Sequence, residues 1–341
     1  MGLGLQIIFA ALAVLVASSI GTALVYYFAV TRRWLAYPNA RSSHAVPTPS
    51  SGGVGLAVVV LGVFAVLGIT GGLPRALAAA LLGGGALVAI VGWIDDRRAL
   101  PPLVRLLAHA VAAAWALWWI GGLDHLSVGF ATLPLGMWGS ALAFLAIIAF
   151  SNLYNFMDGI DGLIGAEAVL AGSVLALLAF FSGAPVIAAA LGILAAAAFG
   201  FLFWNWHPAR IFMGDVGSVL LGFCFAVLAV ASEQSRALPA LFWVILFAVV
   251  LVDAGFTTIR RMAAGERWYE AHRTFTYQRA VERGHRHSTV VLGMLVLDVV
   301  LAALAFIAWR RPAILLPATI VAVLLVTVMW ASYQFRRVEE S

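Results

Sequence analysis

NLYNFMDGIDG, residues 152–162, closes an almost uncharged hydrophobic run with two asparagines, two aspartates and two glycines. Asn152, Asn155, Asp158 and Asp161 recur every three residues, and at about 100° per residue the first three share one face of a helix end. That face carries only oxygen donors. Carboxylates and amide carbonyls suit a hard cation such as Mg2+, with Mn2+ as a substitute, while Gly159 and Gly162 let the backbone turn and approach a ligand. A polar helix cap followed by a glycine turn is the plainer alternative, although a cap needs one such side chain and this segment has four.

Outward from this segment the chain reads as membrane protein. Of 341 residues, 64% are hydrophobic and 10% charged, against about 25% charged in soluble domains. Apolar runs of about 20 residues match the length that crosses a hydrocarbon core as a helix. They predict an all-α polytopic fold of ten to eleven transmembrane helices in a single domain, 1–341. The eleven spans fall near 3–30, 52–71, 75–94, 103–121, 138–156, 163–182, 185–204, 216–232, 239–259, 289–309 and 312–332. No basic residue precedes Arg32, so the first span reads as a retained helix, not a cleaved signal. Cys224 is the single cysteine and lies within a span, which excludes a disulfide or a cysteine-based metal site within one chain.

All twenty basic residues are arginines. Sixteen lie in the loops after odd-numbered spans or in the C-terminal tail, among them Arg41, Arg336 and Arg337. The positive-inside rule then makes the odd-numbered loops cytoplasmic, with the N-terminus outside and the C-terminus inside. The plainer reading of this basic face, with a formal charge of +5, is topology and contact with membrane lipid headgroups. Asp95, Asp96, Asp158, Asp161 and Asp215 all fall at the same side, at span ends. Carboxylates at the bilayer centre cost on the order of 3 kcal/mol each, which the interface position avoids. A proton or ion route through the midplane would place them elsewhere.

Five loops on this side carry the polar chemistry: 31–51, 95–102, 157–162, 204–217 and 260–288. The first, YPNARSSHAVPTPSSGGVG (37–55), has His44 and a glycine run but no Walker lysine, so its modest reading is a helix start whose free N–H groups face an anion. In the second, DDRRALPP (95–102), adjacent Asp95 and Asp96 cannot point the same way on a regular helix. One suits a base or metal partner and the other an orienting role; a helix end paired with Arg97 and Arg98 is the alternative. Arg105 and His109 follow, four apart on one face. WNWHPARIFMGDVGS (204–218) sets Asp215 between two glycines, as a metal ligand or a cap, and offers Phe212 as a stacking surface or an interfacial aromatic. The longest loop, 260–288, holds seven arginines and three histidines, a composition suited to phosphate. Nucleic acid is not expected without a soluble binding module.

Carboxylates, arginines and a membrane face suit transfer between two phosphorylated partners, one of them lipid. Two dianions about 4 Å apart repel by about 16 kcal/mol at an effective dielectric near 20, so a bridging cation and guanidinium groups are needed. The set DD at 95–96, NLYNFMDGIDGLIG at 152–165, FMGDVGS at 212–218 and HRTFTYQ at 272–278 resembles the polyprenyl-phosphate N-acetylhexosamine-1-phosphate transferases, glycosyltransferase family 4, over about residues 31–290. The HRxxxYQ loop is similar to the WecA and WbpL branch more than to MraY, whose loop has a run of histidines. The resemblance implies transfer of a sugar 1-phosphate from a UDP-N-acetylhexosamine to undecaprenyl phosphate, with release of UMP, at the start of O-antigen lipopolysaccharide or a related envelope glycan. It also implies Mg2+ held by Asp215 and Asn155, and Asp95 or Asp96 as base or lipid-phosphate organiser. Asp158 and Asn152 would line the nucleotide pocket, with Asp158 among the catalytic carboxyls, and Phe212 would stack on uracil. His272 and Arg273 would contact sugar or pyrophosphate, and Arg105, Arg279, His44 and Asp161 complete the substrate-binding set. A homodimer is compatible with this reading.

Two departures stand out. Ser50 replaces an arginine common in the branch, and Phe275 replaces a second histidine, for which Arg286 or His287 is the available compensation. The alternatives are an MraY-like peptidoglycan-precursor transferase and, from another class, a lipid-linked-sugar transporter or flippase. The transporter draws on mid-span Glu167 and Asp298.

Overall fold

The computed structural model describes residues 3–37, 44, 46–267 and 272–335. Arg41, Arg336 and Arg337 of the basic face lie outside them. The chain runs through α1 (Leu3–Arg32), β1 (Leu35–Ala36), β2 (Thr48–Pro49), α2 (Gly53–Thr70), α3 (Arg75–Ala79), a π-helical turn (Ala80–Gly84) and α4 (Gly85–Arg97). It continues with α5 (Pro102–Ile120), the hairpin β3 (His125–Ser127) and β4 (Thr132–Pro134), α6 (Met137–Phe156), α7 (Leu163–Phe181), α8 (Pro185–Asn205) and α9 (Asp215–Gln234). The last third holds α10 (Leu241–Leu246), α11 (Ala248–Ala263), the short α12 (Thr276–Glu282), α13 (His287–Arg310) and α14 (Leu315–Phe335). Both strand pairs are antiparallel; β1 pairs with β2 in the register Leu35 to Pro49.

Ten stretches among the described residues are long and apolar enough to cross a bilayer, with α3, the π turn and α4 counting as one from Arg75 to Arg97. The protein is therefore an all-α, multi-pass membrane protein. Ten of the eleven expected spans appear as such. The ninth, 239–259, is divided at Phe247, whose φ of −106° and ψ of 21° depart from the helical range. Hydrogen bonds continue across the bend, from Phe247 N–H to Trp243 O and from Leu251 N–H to Phe247 O. The buried Phe247 ring packs at the bend against Phe150, Tyr154 and Phe225, which fixes the change of direction. Beyond it α11 is polar on one side, through Asp253, Thr257 and Arg261, all buried.

Helix α9 is the central post, buried along nearly its whole length and packed by α6 and α4. Peripheral α1 does the reverse and leaves Ile8, Phe9, Leu24 and Tyr27 exposed, as a lipid-facing helix does. At one end of the bundle the β3–β4 hairpin is tied to α9 by Glu233, which accepts from Ser127 N–H and Ala240 N–H. At the other end gather the segments around residues 44–52, 96, 155–161, 205–215 and 278–287, which line one cavity.

That end depends on backbone contact between helices. A Cβ on Gly53 would sit 2.6 Å from Gly217 Cα and N, and these are main-chain atoms that cannot swing aside. Gly53→Ala should therefore lower the thermal unfolding temperature of the detergent-solubilised protein, by overpacking worth about 1–3 kcal/mol. Gly62→Ala, where a Cβ meets nothing within 4 Å, should leave it nearly unchanged. Equal melting of both variants and wild type would show that the α2–α9 contact is looser than this.

Candidate functional site

The site is built around the last turn of α4. Asp95 and Asp96 point apart, as adjacent helical residues must. Asp95 Oδ2 lies 3.1 Å from Arg105 Nη1, and its Oδ1 accepts from Leu100 N–H, which closes the helix end before Pro101. Asp96 turns inward: Oδ2 accepts from the Ser51 hydroxyl at 2.8 Å and Oδ1 from Asp215 N–H at 2.9 Å. Arg97 donates to Ser51 Oγ and lays its guanidinium 3.5 Å over the Trp34 ring. So Ser51, not Arg97, is the direct partner of Asp96. Gly214 is required here, since its φ is +74° and a Cβ would lie 2.3 Å from Asp96 Oδ2.

The glycines of the first loop behave differently from expectation. Gly52 N–H donates to Phe212 O and Gly53 N–H to Met213 O, while Phe212 N–H donates to Pro49 O. These N–H groups stitch the loop to the segment before α9 and are not turned to an anion.

Helix α6 ends at Phe156, so the three-residue spacing of NLYNFMDGIDG does not make one helical face. Asn152 donates to Ile148 O of its own helix, Asn155 Oδ1 accepts from the Ser218 hydroxyl at 2.6 Å, and Asp158 lies beyond the helix in the following turn. Burial pushes the Asp158 carboxyl up to about 7, with Asp96 and Asp161 adding to the effect and the Gly214 N–H opposing it. Asp161 feels the same burial, but contacts from His287, His207 and the Ala209 N–H outweigh it and hold its carboxyl below the usual range. The distances to Asp161 Oδ2 are 2.7 Å from His207 Nδ1, 3.1 Å from Ala209 N and 3.3 Å from His287 Nδ1. Asn205 locks the turn, accepting from Gly162 N–H and donating to Ile211 O.

A cavity of about 330 Å³ opens between these segments. Of the residues expected at a site, it is lined by His44, Asp96, Asn155, Asp158, Asp161, Phe212 and Asp215. Phe212 carries the His44 ring beside it, centroids 4.7 Å apart. Arg105 stands behind, reaching Asp95 at 3.1 Å and Asp215 at 3.7 Å. Others stand off the lining. His272 packs on Phe275 at 4.4 Å and is pushed down to about 4 by burial and by Arg261 and Arg260. Arg273 belongs to the same loop turn, and Arg279 donates to Gln334 O at the end of α14. Asn152 stays on α6, away from the lining.

Among the lining residues that escaped the sequence reading as site members are Ile160, Asn205, Gln278 and Gly214. His287 entered only as a stand-in. Gln278 had a signal, the last position of HRTFTYQ. Asp253 on α11 presents it, accepting from Thr276 N–H and Tyr277 N–H at the start of α12, while the Tyr277 hydroxyl donates to Phe156 O. Asn205 and His287 meet partners 43 and 126 residues away, a pairing no local pattern reports.

The donors fall into two groups. Asp96, Asp158, Asp215 and Asn155 offer oxygen alone, which fits a hard divalent cation. Asp161, His207 and His287 offer a carboxylate and two imidazoles. Glu167 and Asp298, by contrast, lie buried against each other between α7 and α13, apart from the lining.

The sequence model of glycosyl transferase family 4 matches residues 78–233. A "Probable undecaprenyl-phosphate N-acetylglucosaminyl 1-phosphate transferase" of Bacillus subtilis is 29% identical over 262 residues, 75% of this chain and 72% of the relative. The decaprenyl-phosphate N-acetylglucosaminephosphotransferase of Mycolicibacterium smegmatis is 30% identical over 300 residues, 76% of this chain and 71% of the relative. A phospho-N-acetylmuramoyl-pentapeptide-transferase of a Synechococcus species is 35% identical over 203 residues, covering 55% of each chain. With the helical membrane fold and the two central aspartate motifs in the matched region, this chain belongs to the polyprenyl-phosphate hexosamine-1-phosphate transferases of glycosyl transferase family 4.

Proposed function

We propose that this protein transfers an N-acetylhexosamine-type sugar 1-phosphate from a UDP-sugar to undecaprenyl phosphate at the cytoplasmic face of a bacterial inner membrane. The products are the undecaprenyl-diphosphate-linked sugar and UMP, and the glycan begun is O-antigen or a related envelope polymer. One observation carries this reading: Asp96, Asn155, Asp158 and Asp215, from three segments far apart in sequence, line one cavity at the end of a membrane bundle.

In the reaction a lipid-phosphate oxygen bonds to the sugar-bearing phosphorus, and the bond from that phosphorus to the bridging oxygen breaks, so UMP leaves with that oxygen. Mg2+ held by Asp215 and Asn155, with Asp96 beside them, would supply charge that offsets phosphate repulsion. The protein groups have separable tasks. Ser51 and the Asp215 N–H fix both oxygens of Asp96, so its orientation is set before substrate arrives. Asp158, titrating near 7, takes up the proton that the acceptor phosphate loses. Arg105, between Asp95 and Asp215, holds positive charge at the edge of the site. Phe212 offers an apolar face for the uracil ring.

Purified protein with undecaprenyl phosphate and a panel of UDP-N-acetylhexosamines should release UMP only with Mg2+ or Mn2+, and EDTA should stop it. Asp215→Asn should lower the rate at least about hundredfold, the scale for losing one charge-stabilising group, with unchanged melting. A variant that retains activity would remove Asp215 from the metal role, and lipid translocation without UMP would favour the transporter.

The Asp158 carboxyl gives a pH test. Its folded value near 7 lies above the ordinary 3.8, so stability falls as pH rises through that window and is flat above it. Without substrate or divalent ion, Asp158→Asn should raise the melting temperature more at pH 8 than at pH 5. The same difference at both values would show that ionised Asp158 bears no burial penalty.

A further inference from the structure

The second donor group, of which Asp161 and His287 line the cavity, has no part in the transfer chemistry above. We propose that Asp161, His207 and His287 form a binding site for a borderline divalent transition ion, with Zn2+ as the type, separate from the all-oxygen site. One carboxylate and two imidazoles are the donor set that such ions prefer and Mg2+ does not.

Geometry carries the proposal first. One ligand atom from each residue lies within 4.8 Å of the others. The Nδ1 atoms of His207 and His287 stand 2.7 and 3.3 Å from the same oxygen, Asp161 Oδ2. Two ligand atoms each about 2.05 Å from a tetrahedral ion are about 3.4 Å apart, so small side-chain rotations reach coordination distances. Asp161 and His287 are buried, and His207 is half-buried at the rim, so the ligands are largely shielded from water.

Proton placement is the second, independent argument. Asp161 N–H donates to His287 Nδ1 at 3.3 Å, which requires a lone pair on that nitrogen. The same nitrogen faces Asp161 Oδ2, which requires a proton for a favourable contact. One tautomer cannot serve both. A cation near Oδ2 that takes the His287 lone pair removes its repulsion with the carboxylate oxygen, at the expense of the long 3.3 Å contact from Asp161 N–H, and leaves Ala209 N–H on the second lone pair of Oδ2.

The three ligands come from the turn after α6, the segment after α8 and the first residue of α13. An ion there ties the three together. Three protein ligands leave one tetrahedral position for water or a phosphoryl oxygen. Because Asp161 and His287 also line the cavity, that position opens to it. The site rests on these side chains alone and not on the transferase reading, since binding and UMP release are measured separately.

The test is titration of the full-length protein in detergent with Co2+, under excess Mg2+ so that the oxygen site is filled. Wild type and Asp215→Asn should each take up one equivalent and develop the visible bands of low-symmetry, four- or five-coordinate Co2+. His207→Ala and His287→Ala should each weaken binding at least tenfold, with gel filtration and melting reporting the fold. X-ray absorption of Zn2+-loaded wild type keeps the test independent of any variant's folding, and two imidazole nitrogens in the first shell are expected. Absence of stoichiometric Co2+ binding, binding indifferent to both histidine substitutions, or an all-oxygen zinc shell would overturn the proposal.

Discussion

The cavity end of the bundle is held together by the two oxygens of one carboxylate. Asp96 joins Ser51, 45 residues before it, to the backbone of Asp215, 119 residues after it. A carboxylate placed at the rim of an apolar bundle is costly unless each oxygen finds a donor, and here the donors are the starts of two other helices. The same bonds that satisfy Asp96 therefore place α2 and α9 against α4. Close approach is then forced on the backbone, which is why Gly53 meets Gly217 and why the residue before Asp215 must be a glycine with positive φ. Packing and chemistry at this end are one constraint.

Much of the architecture was legible because the bilayer imposes a length on every crossing helix. Ten spans follow from that rule within a few residues. The ninth does not, because hydropathy over a window averages across Phe247 and sees 239–259 as one run. What divides it is a ring cluster assembled from α6, α9 and α10–α11 residues, a tertiary fact with no local trace. The bend has a use. It carries α11 to Asp253, which caps α12 and so turns Gln278 toward the cavity.

The candidate site was legible where function needs charge in an uncharged background. Asp96, Asp158, Asp161 and Asp215 stand out by being carboxylates in a chain with 10% charged residues. Geometry at short range was less so. The three-residue rhythm of NLYNFMDGIDG suggested one helical face, but the helix stops at Phe156, and Asn152, Asn155 and Asp158 go to three different surroundings. The glycine run suggested an anion cradle, but N–H groups near a helix start serve whichever acceptor is nearest, and the 212–213 carbonyls are nearer. Arginine counts overstated the loop after α11, since Arg279 closes on α14 and not on the cavity.

The cavity carries two chemically distinct donor groups, distinguished by which residues surround each carboxylate. Asp96 and Asp215 see hydroxyl, amide and guanidinium donors. Asp161 is encircled by imidazoles and a backbone N–H, which keep it ionised in spite of burial. Burial drives Asp158 toward neutrality, with Asp96 and Asp161 adding to the effect, which suits it to exchange a proton, whereas Asp161 is held ionised by its own partners. A single 330 Å³ cavity thus sets the ionised carboxylate of Asp161 beside the titratable carboxyl of Asp158, three residues earlier in the same turn.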